Sequence, residues 1–170
     1  VKKAFELSER LKLPVMVRIT HALAHSRGPV VLGGIPESNP LPSFEKDPSR
    51  YVMIAPNARK RKEWLKEQYA KVPFLFDELL EIPDGDGDFA VVACGVTYGY
   101  ALDAAAFLGR DIPVIKLSGT VPLPSKMELL LRKYRRILVL EEGDPVVEND
   151  MRAFAQLKGI HVEIFGQQTG

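Results

Sequence analysis

The chain has 170 residues, 46% hydrophobic and 26% charged, and its 23 basic and 22 acidic side chains leave a net charge of +1. That composition is globular, enough for one domain with the remnant of a second, and a balance so near neutral gives no general attraction to nucleic acid or to a membrane surface. A single cysteine excludes an internal disulfide, an all-cysteine zinc site and an iron–sulfur ligand set.

No apolar run approaches the ~18 residues of a membrane span and no secretory leader pattern is visible, so the cytoplasm is the expected location. Apolar Val1, Ala4, Phe5 and Leu11 already stand at helical spacing with no cap before them, and the chain stops on Gln-Gln-Thr-Gly. Both features predict a piece of a longer polypeptide.

After that helix, Leu13–Thr20 is β-rich and predicts a strand, residues 21–28 a loop, and Pro29–Gly34 a short strand closed by glycines. Four prolines among residues 35–50 mark a linker, extended here to residue 56. Pro56-Asn57 opens a charged helix with Ala58, Leu65, Tyr69 and Val72 inward. Strand–helix alternation then sets in. Five candidate strands follow, at 78–82, 89–94, 114–118, 137–141 and 161–165, and the continuously apolar second one reads as central. Between them, Thr97 is placed as the cap of a helix burying Tyr98, Ala101, Leu102, Ala105 and Leu108 and stopped by Gly109. Ser125 and Glu128 form a capping box before the stripe Met127, Leu130, Leu131 and Tyr134. Asp144 reads as N-cap with Pro145 at the first helical position, Val147, Met151 and Phe154 inward and Gly159 at the end. Such alternation means an α/β domain with a mostly parallel sheet and helices on both faces.

Motif by motif, no complete active site emerges. Cys94 ends a strand before a helix, but Val92 and Val96 stand where a nucleophile elbow needs glycine. Residues 94–99 lack G-x-G-x-x-G. Asp84, Asp86 and Asp88 have calcium-loop spacing, yet Phe89 replaces the required glycine and Gly95 the bidentate glutamate. The Gly-Asp-Gly within the same run precedes its strand and has no answering Asn, so it is a turn and not a thiamine-diphosphate motif. Arg59–Lys62, followed by Glu63 and Glu67, reads as a solvated helix face. His21 and His25 fall in the loop, so no metal pair is assigned.

Four stretches in one order, residues 4–28 (with Arg18-x-Thr20 and His25), Gly95–Ala105, Val114–Ser125 and Ile137–Arg152, resemble the alpha subunit of the indolepyruvate:ferredoxin oxidoreductases. These are thiamine-diphosphate-dependent 2-oxoacid:ferredoxin oxidoreductases. The resemblance covers nearly the whole chain. It implies that residues 1–34 are the remnant of a pyrimidine-binding domain, 35–56 a linker, and 57–170 a domain like the C-terminal domain of transketolases. That domain is a three-layer α/β/α sandwich with five strands, one edge strand antiparallel. The implied activity is oxidative decarboxylation of an arylpyruvate to an acyl-CoA with reduction of ferredoxin. Thiamine diphosphate, magnesium and [4Fe–4S] clusters are implied for the parent enzyme and none for these residues, so no catalytic, cofactor or metal residue carries over. The implied partners are the other domains of the alpha subunit, a beta subunit, ferredoxin and coenzyme A. One departure stands in the basic loop, where Ala22 replaces the family's second arginine.

The resemblance also places strands 89–94 and 137–141 side by side, with the chain reversing direction between them. Their ends would frame a crevice with Gly95–Tyr98 on one wall and Glu141, Glu142 and Asp144 on the other. Gly95 is expected to permit close backbone approach. Glu142 either caps the next helix or joins an acidic ledge that docks a neighbouring domain. With Arg18, Thr20 and His25, these residues are the candidate interdomain contact. Val15, Val17, Val30 and Val31, parted from their sheet, are expected to lack regular structure or to pair in a homodimer with a second copy. A free-standing small-molecule or nucleotide-binding module and a Cys94-dependent hydrolase are the alternatives. The leading reading predicts that the purified chain is colourless, takes up no thiamine diphosphate in calorimetry and reduces no ferredoxin; cluster-like visible absorbance or saturable diphosphate binding contradicts it.

Overall fold

The computed structural model describes residues 1–34, 44–84 and 87–169. At its centre, β1 (Phe89–Cys94), β2 (Val114–Leu117), β3 (Arg136–Leu140) and β4 (Glu163–Phe165) form an all-parallel sheet in the order β2-β1-β3-β4. Phe89 pairs with Arg136 and Val92 with Val139, so the two strands expected to be neighbours are neighbours. The chain moves one way from β1 to β2 and the other way afterwards, which makes β1/β3 the switch point.

Side-chain alternation sends each strand's residues to two cores. Ala90, Val92, Ile115, Ile137, Val139 and Ile164 face α6 (Met127–Lys133) and α7 (Val146–Leu157), with Met127, Leu130, Leu131, Tyr134, Val147 and Met151 buried against them. Val91 and Ala93 face the opposite way, toward Ala101 of α5 (Thr97–Phe107), with Leu138 and Leu140 partly buried beside them. Right-handed crossovers require this split: the single step from β1 to β2 puts α5 on one face, and the two steps in the other sense put α6 and α7 on the other. The stripes expected for α6 and α7 are in place, Phe154 being half-buried.

The antiparallel edge strand expected at 78–82 is not formed. Residues Asp77–Leu79 make one turn of 3₁₀-helix, and pairing is reduced to a single antiparallel bridge between Leu80 and Leu117. Asp77 is the cause: its carboxylate accepts from the Ser125 hydroxyl and from the Lys126 backbone N–H at 2.8 Å, which holds residues 77–79 in a tight turn. The same contacts displace the expected capping box, because Ser125 is bonded to Asp77 and the helix starts at Met127.

The first helix, α1 (Lys2–Leu11), forms as expected and buries Leu7 and Leu11, with Lys3 paired to Glu78 at 2.6 Å. Neither Leu13–Thr20 nor Pro29–Gly34 is a strand. A strand needs a neighbour to satisfy its backbone, and Met16 and Val31, 93% and 96% exposed, have none among the described residues. Residues 21–28 are not all loop, since His21–His25 forms a short helix, α2. The expected linker lies outside the described residues over 35–43, and its remainder includes a single helical turn, α3 (Pro48–Tyr51). The helix expected from Pro56 runs from Ala55 to Phe76 as α4, longer than anticipated, with Pro tolerated in the first turn and Pro73 in the last. Of its expected inner residues, Val72 alone is buried, while Ala58, Leu65 and Tyr69 are exposed. Arg59–Lys62 is largely solvated as expected, with Arg61 stacked over Trp64 at 3.8 Å.

Candidate functional site

The carboxyl ends of β1 and β3 carry the candidate site. At the first wall, Gly95 turns the chain with φ +65°, a conformation glycine adopts without strain, and the space beside its α-carbon is open. The turn itself requires glycine here, and within these residues nothing approaches its backbone. Thr97 is the first residue of α5 and makes no N-cap bond. Its hydroxyl lies 2.8 Å from both the Cys94 and Leu140 carbonyl oxygens and accepts from the Cys94 N–H at 3.1 Å, so it ties the ends of β1 and β3 together. Tyr98 is half-buried and lies 5.3 Å from the Lys116 ammonium on β2, while Leu102 and Leu108, expected inward, are 44% and 59% exposed.

The opposite wall works differently from the sequence expectation. Asp144 does not cap α7, whose N-cap is Pro145, and Glu142 does not cap it either. Glu141 does: its two carboxylate oxygens accept from the Val147 and Glu148 N–H groups, each at 2.9 Å, filling the orphan donors of the first turn. The donors that Glu141 takes belong to α7, not to α5 across the crevice. Asp144 is exposed and Glu142 half-buried.

Of the basic loop, Arg18 alone reaches this wall. Its guanidinium donates to the Glu142 carbonyl at 2.9 Å and lies against Gly143, whose φ is +82° and where a Cβ would meet the Arg18 Nη2 at 2.7 Å. Thr20 keeps a buried hydroxyl oxygen with no hydrogen-bond partner. His25 stacks on His21, ring centroids 4.2 Å apart, on α2, and no group of three or more His, Cys, Asp or Glu that could hold a metal occurs among the described residues. The structure therefore brings Arg18, Glu141 and Glu142 together at the end of β3, tied through Thr97 to the turn at Gly95, while Tyr98 turns toward β2, Asp144 is exposed, and Thr20 and His25 stay outside the hydrogen bonding.

Two features escaped the sequence. Gln167, just after β4, donates to the Glu141 carbonyl at 2.9 Å. Glu148, 1% exposed, pairs with Arg152 at 2.6 Å and accepts from the Gln168 N–H at 3.3 Å, and the same Arg152 nitrogen donates to the Ile164 carbonyl at 2.7 Å. The i,i+4 spacing of Glu148 and Arg152 was the available signal, and nothing local marks the pair as buried. A cavity of about 470 Å³ opens between α7 and β4, beside Arg152, Gln156 and His161, away from the switch point.

Cys94 is half-buried, and burial first, then the Glu141 charge, pushes its thiol up to about 12, against a smaller opposing pull from Arg18. That environment suppresses a thiolate, so no nucleophile is assembled here.

Comparison with curated proteins decides the family. The indolepyruvate oxidoreductase subunit IorA of Archaeoglobus fulgidus is 35% identical over 173 aligned residues, covering 99% of this chain and 27% of that protein. Its counterparts from Pyrococcus abyssi (36% over 181) and Methanothermobacter thermautotrophicus (35% over 172) each cover 98% of the chain and 27% and 28% of their own lengths. The chain belongs to the IorA family. It spans about 27% of the length of the curated relatives it matches. No family model matches it. The residues of this IorA-family chain do not fit a [4Fe–4S] cluster, which needs four thiolates where there is one half-buried thiol. Nor do the described residues offer a carboxylate set for magnesium diphosphate; the thiamine and calcium readings of the turn before β1 include residues 85–86, which lie outside them. Among the described helices none is long and apolar enough to cross a membrane.

Two outcomes follow from this geometry. Glu141→Ala should cost about 0.5–2 kcal/mol in denaturant unfolding, as lost helix caps do, whereas Glu142→Gln, which keeps the carbonyl that Arg18 uses, should leave the midpoint unchanged; the reverse ranking would show the cap is misassigned. Cys94 should react with iodoacetamide about a thousandfold more slowly than free cysteine near pH 8, because so little is thiolate; stoichiometric labelling within minutes would restore the hydrolase reading.

Proposed function

We propose that these residues serve as the scaffold and docking domain of a 2-oxoacid:ferredoxin oxidoreductase alpha subunit, the enzyme that oxidatively decarboxylates indolepyruvate or a related arylpyruvate to an acyl-CoA while reducing ferredoxin. In this reading thiamine diphosphate, magnesium and the [4Fe–4S] clusters belong to other parts of the enzyme, and ferredoxin, coenzyme A and a beta subunit are partners of the whole assembly. The chain's own task is mechanical. Residues 1–34 belong to the preceding, pyrimidine-binding domain, residues 57–170 form the transketolase-like one, and the crevice at the β1/β3 switch point holds the two in register.

The observation that carries this reading is the Arg18 contact. A guanidinium from the N-terminal segment reaches a carbonyl 124 positions later at 2.9 Å and covers a glycine that no larger residue could replace without displacing it. A charged donor on a backbone acceptor is directional, so it fixes orientation as well as proximity. A free-standing ligand-binding module would have no use for an N-terminal segment whose Val17, Val30 and Val31 lie open to solvent. The crevice offers three tied carbonyls and no reacting group, which suits positioning and not chemistry.

In the whole enzyme Arg18→Ala should lower arylpyruvate-dependent ferredoxin reduction severalfold, with Arg18→Lys intermediate, because displaced domains misplace reacting groups. The melting temperature should stay within a degree or so, as expected for an exposed contact. Full turnover in Arg18→Ala would remove the docking role.

A further inference from the structure

The two faces of the sheet are covered unequally. α6 and α7 lie on one, while among the described residues α5 alone covers the other, where Leu138 and Leu140 stay half-buried and Phe165 of β4 is 39% exposed. The orientation of α5 is fixed at two points: Tyr98 meets Lys116 on β2, and Thr97 reaches Leu140 on β3. The flank toward β3 and β4 is then the helical row of Tyr100, Ala104 and Leu108, because these follow Thr97 at spacings of three, seven and eleven residues. Tyr100 and Leu108 are 63% and 59% exposed, and Phe107 at the rim is 92% exposed. An apolar valley results, with that row as one wall and Leu138, Leu140 and Phe165 as floor.

Its width matches a helix. α5 lies over β1, and β4 is two strand spacings away, about 9.5 Å. Neighbouring helices pack about 8–10 Å apart. A helix over β3–β4 would therefore touch α5 and complete the third layer that parallel sheets require on both faces.

We infer that this valley receives a helix from the part of the same subunit that lies outside these residues. The inference rests on the docking-domain reading above. Two observations select this occupant over a second copy. The curated relatives extend far beyond the region they share with this chain, which makes up 27–28% of their length. Arg18 ties the segment before the domain to the carboxyl end of β3, where Thr97 also anchors the start of α5, so covalently linked chain is already close by.

The test uses the whole subunit with p-benzoylphenylalanine in place of Tyr100, and in place of Leu157, exposed on α7, as control. On irradiation the Tyr100 position should cross-link severalfold more than the control, to a peptide of the same polypeptide outside residues 1–170. A yield no higher than the control, or a cross-link to a second copy or to another subunit, overturns the inference. Should that substitution fail to fold, Phe165→Glu should lower the melting temperature of the whole subunit by several degrees and Leu157→Glu should not; equal melting overturns it equally. Normal loss of turnover in Arg18→Ala with no cross-link would sink the valley's occupant and spare the docking role.

Discussion

Three successive carbonyls at the end of β3 hold the described structure together. A parallel ladder satisfies them as far as the strand pairs, and beyond it each must find another donor or remain unmade. The Leu140 carbonyl is met by the Thr97 hydroxyl, that of Glu141 by the Gln167 amide, and that of Glu142 by the Arg18 guanidinium. The three donors come from the start of α5, the segment after β4 and the segment after α1, and the Glu141 carboxylate meanwhile fixes the start of α7. Each bond is worth about 0.5–1.5 kcal/mol on its own. Their joint effect is geometric, since four segments meet the end of β3 at three residues, and none can shift without breaking a bond at that corner.

The right-handed crossover rule explains why the domain is well packed on one side and thin on the other. Reversal of direction after β2 puts two helices on one face, with Met127, Leu130, Ile137 and Met151 fully buried there. Among the described residues the other face has α5 alone, built from small residues at its contact, with Ala101 against Val91 and Ala93. A helix rich in alanine and aromatic residues yet exposed over most of its circumference belongs in a larger body than the described residues provide.

The strands of the central sheet and the stripes of α6 and α7 were legible in the residues because local period alone specifies them: continuous apolar runs for β1 and β3, and three-to-four spacing for Met127, Leu130, Leu131 and Tyr134. Helix starts were not, and for one physical reason. The expected caps Ser125 and Asp144 are local, whereas the groups that bond at those two helix starts, Asp77 and Glu141, arrive from outside the helix they serve, and Thr97 ties β1 to β3 instead of capping α5. The strand at 78–82 failed for the same reason, since a distant cap competed with pairing. Leu13–Thr20 has β-forming residues, but a strand is a property of two segments, and its partner is not among the described ones. In the candidate site, Glu141 and Glu142 were marked by position and charge and Arg18 by the family resemblance; that the useful atoms of Glu142 would be its backbone could not be read from a side chain.

Arg152 has a consequence for how the protein behaves in a crowded solution. β4 is the last strand of the sheet, and because the Glu163 N–H is turned toward β3, the Ile164 carbonyl faces outward along the open edge. An open edge is a template on which another chain can add a strand, and so a starting point for aggregation. The guanidinium that holds buried Glu148 also occupies that carbonyl, placing a positive charge where an incoming backbone N–H would have to bond. A short strand guarded in this way ends the sheet at four strands and keeps the domain from growing into its neighbours.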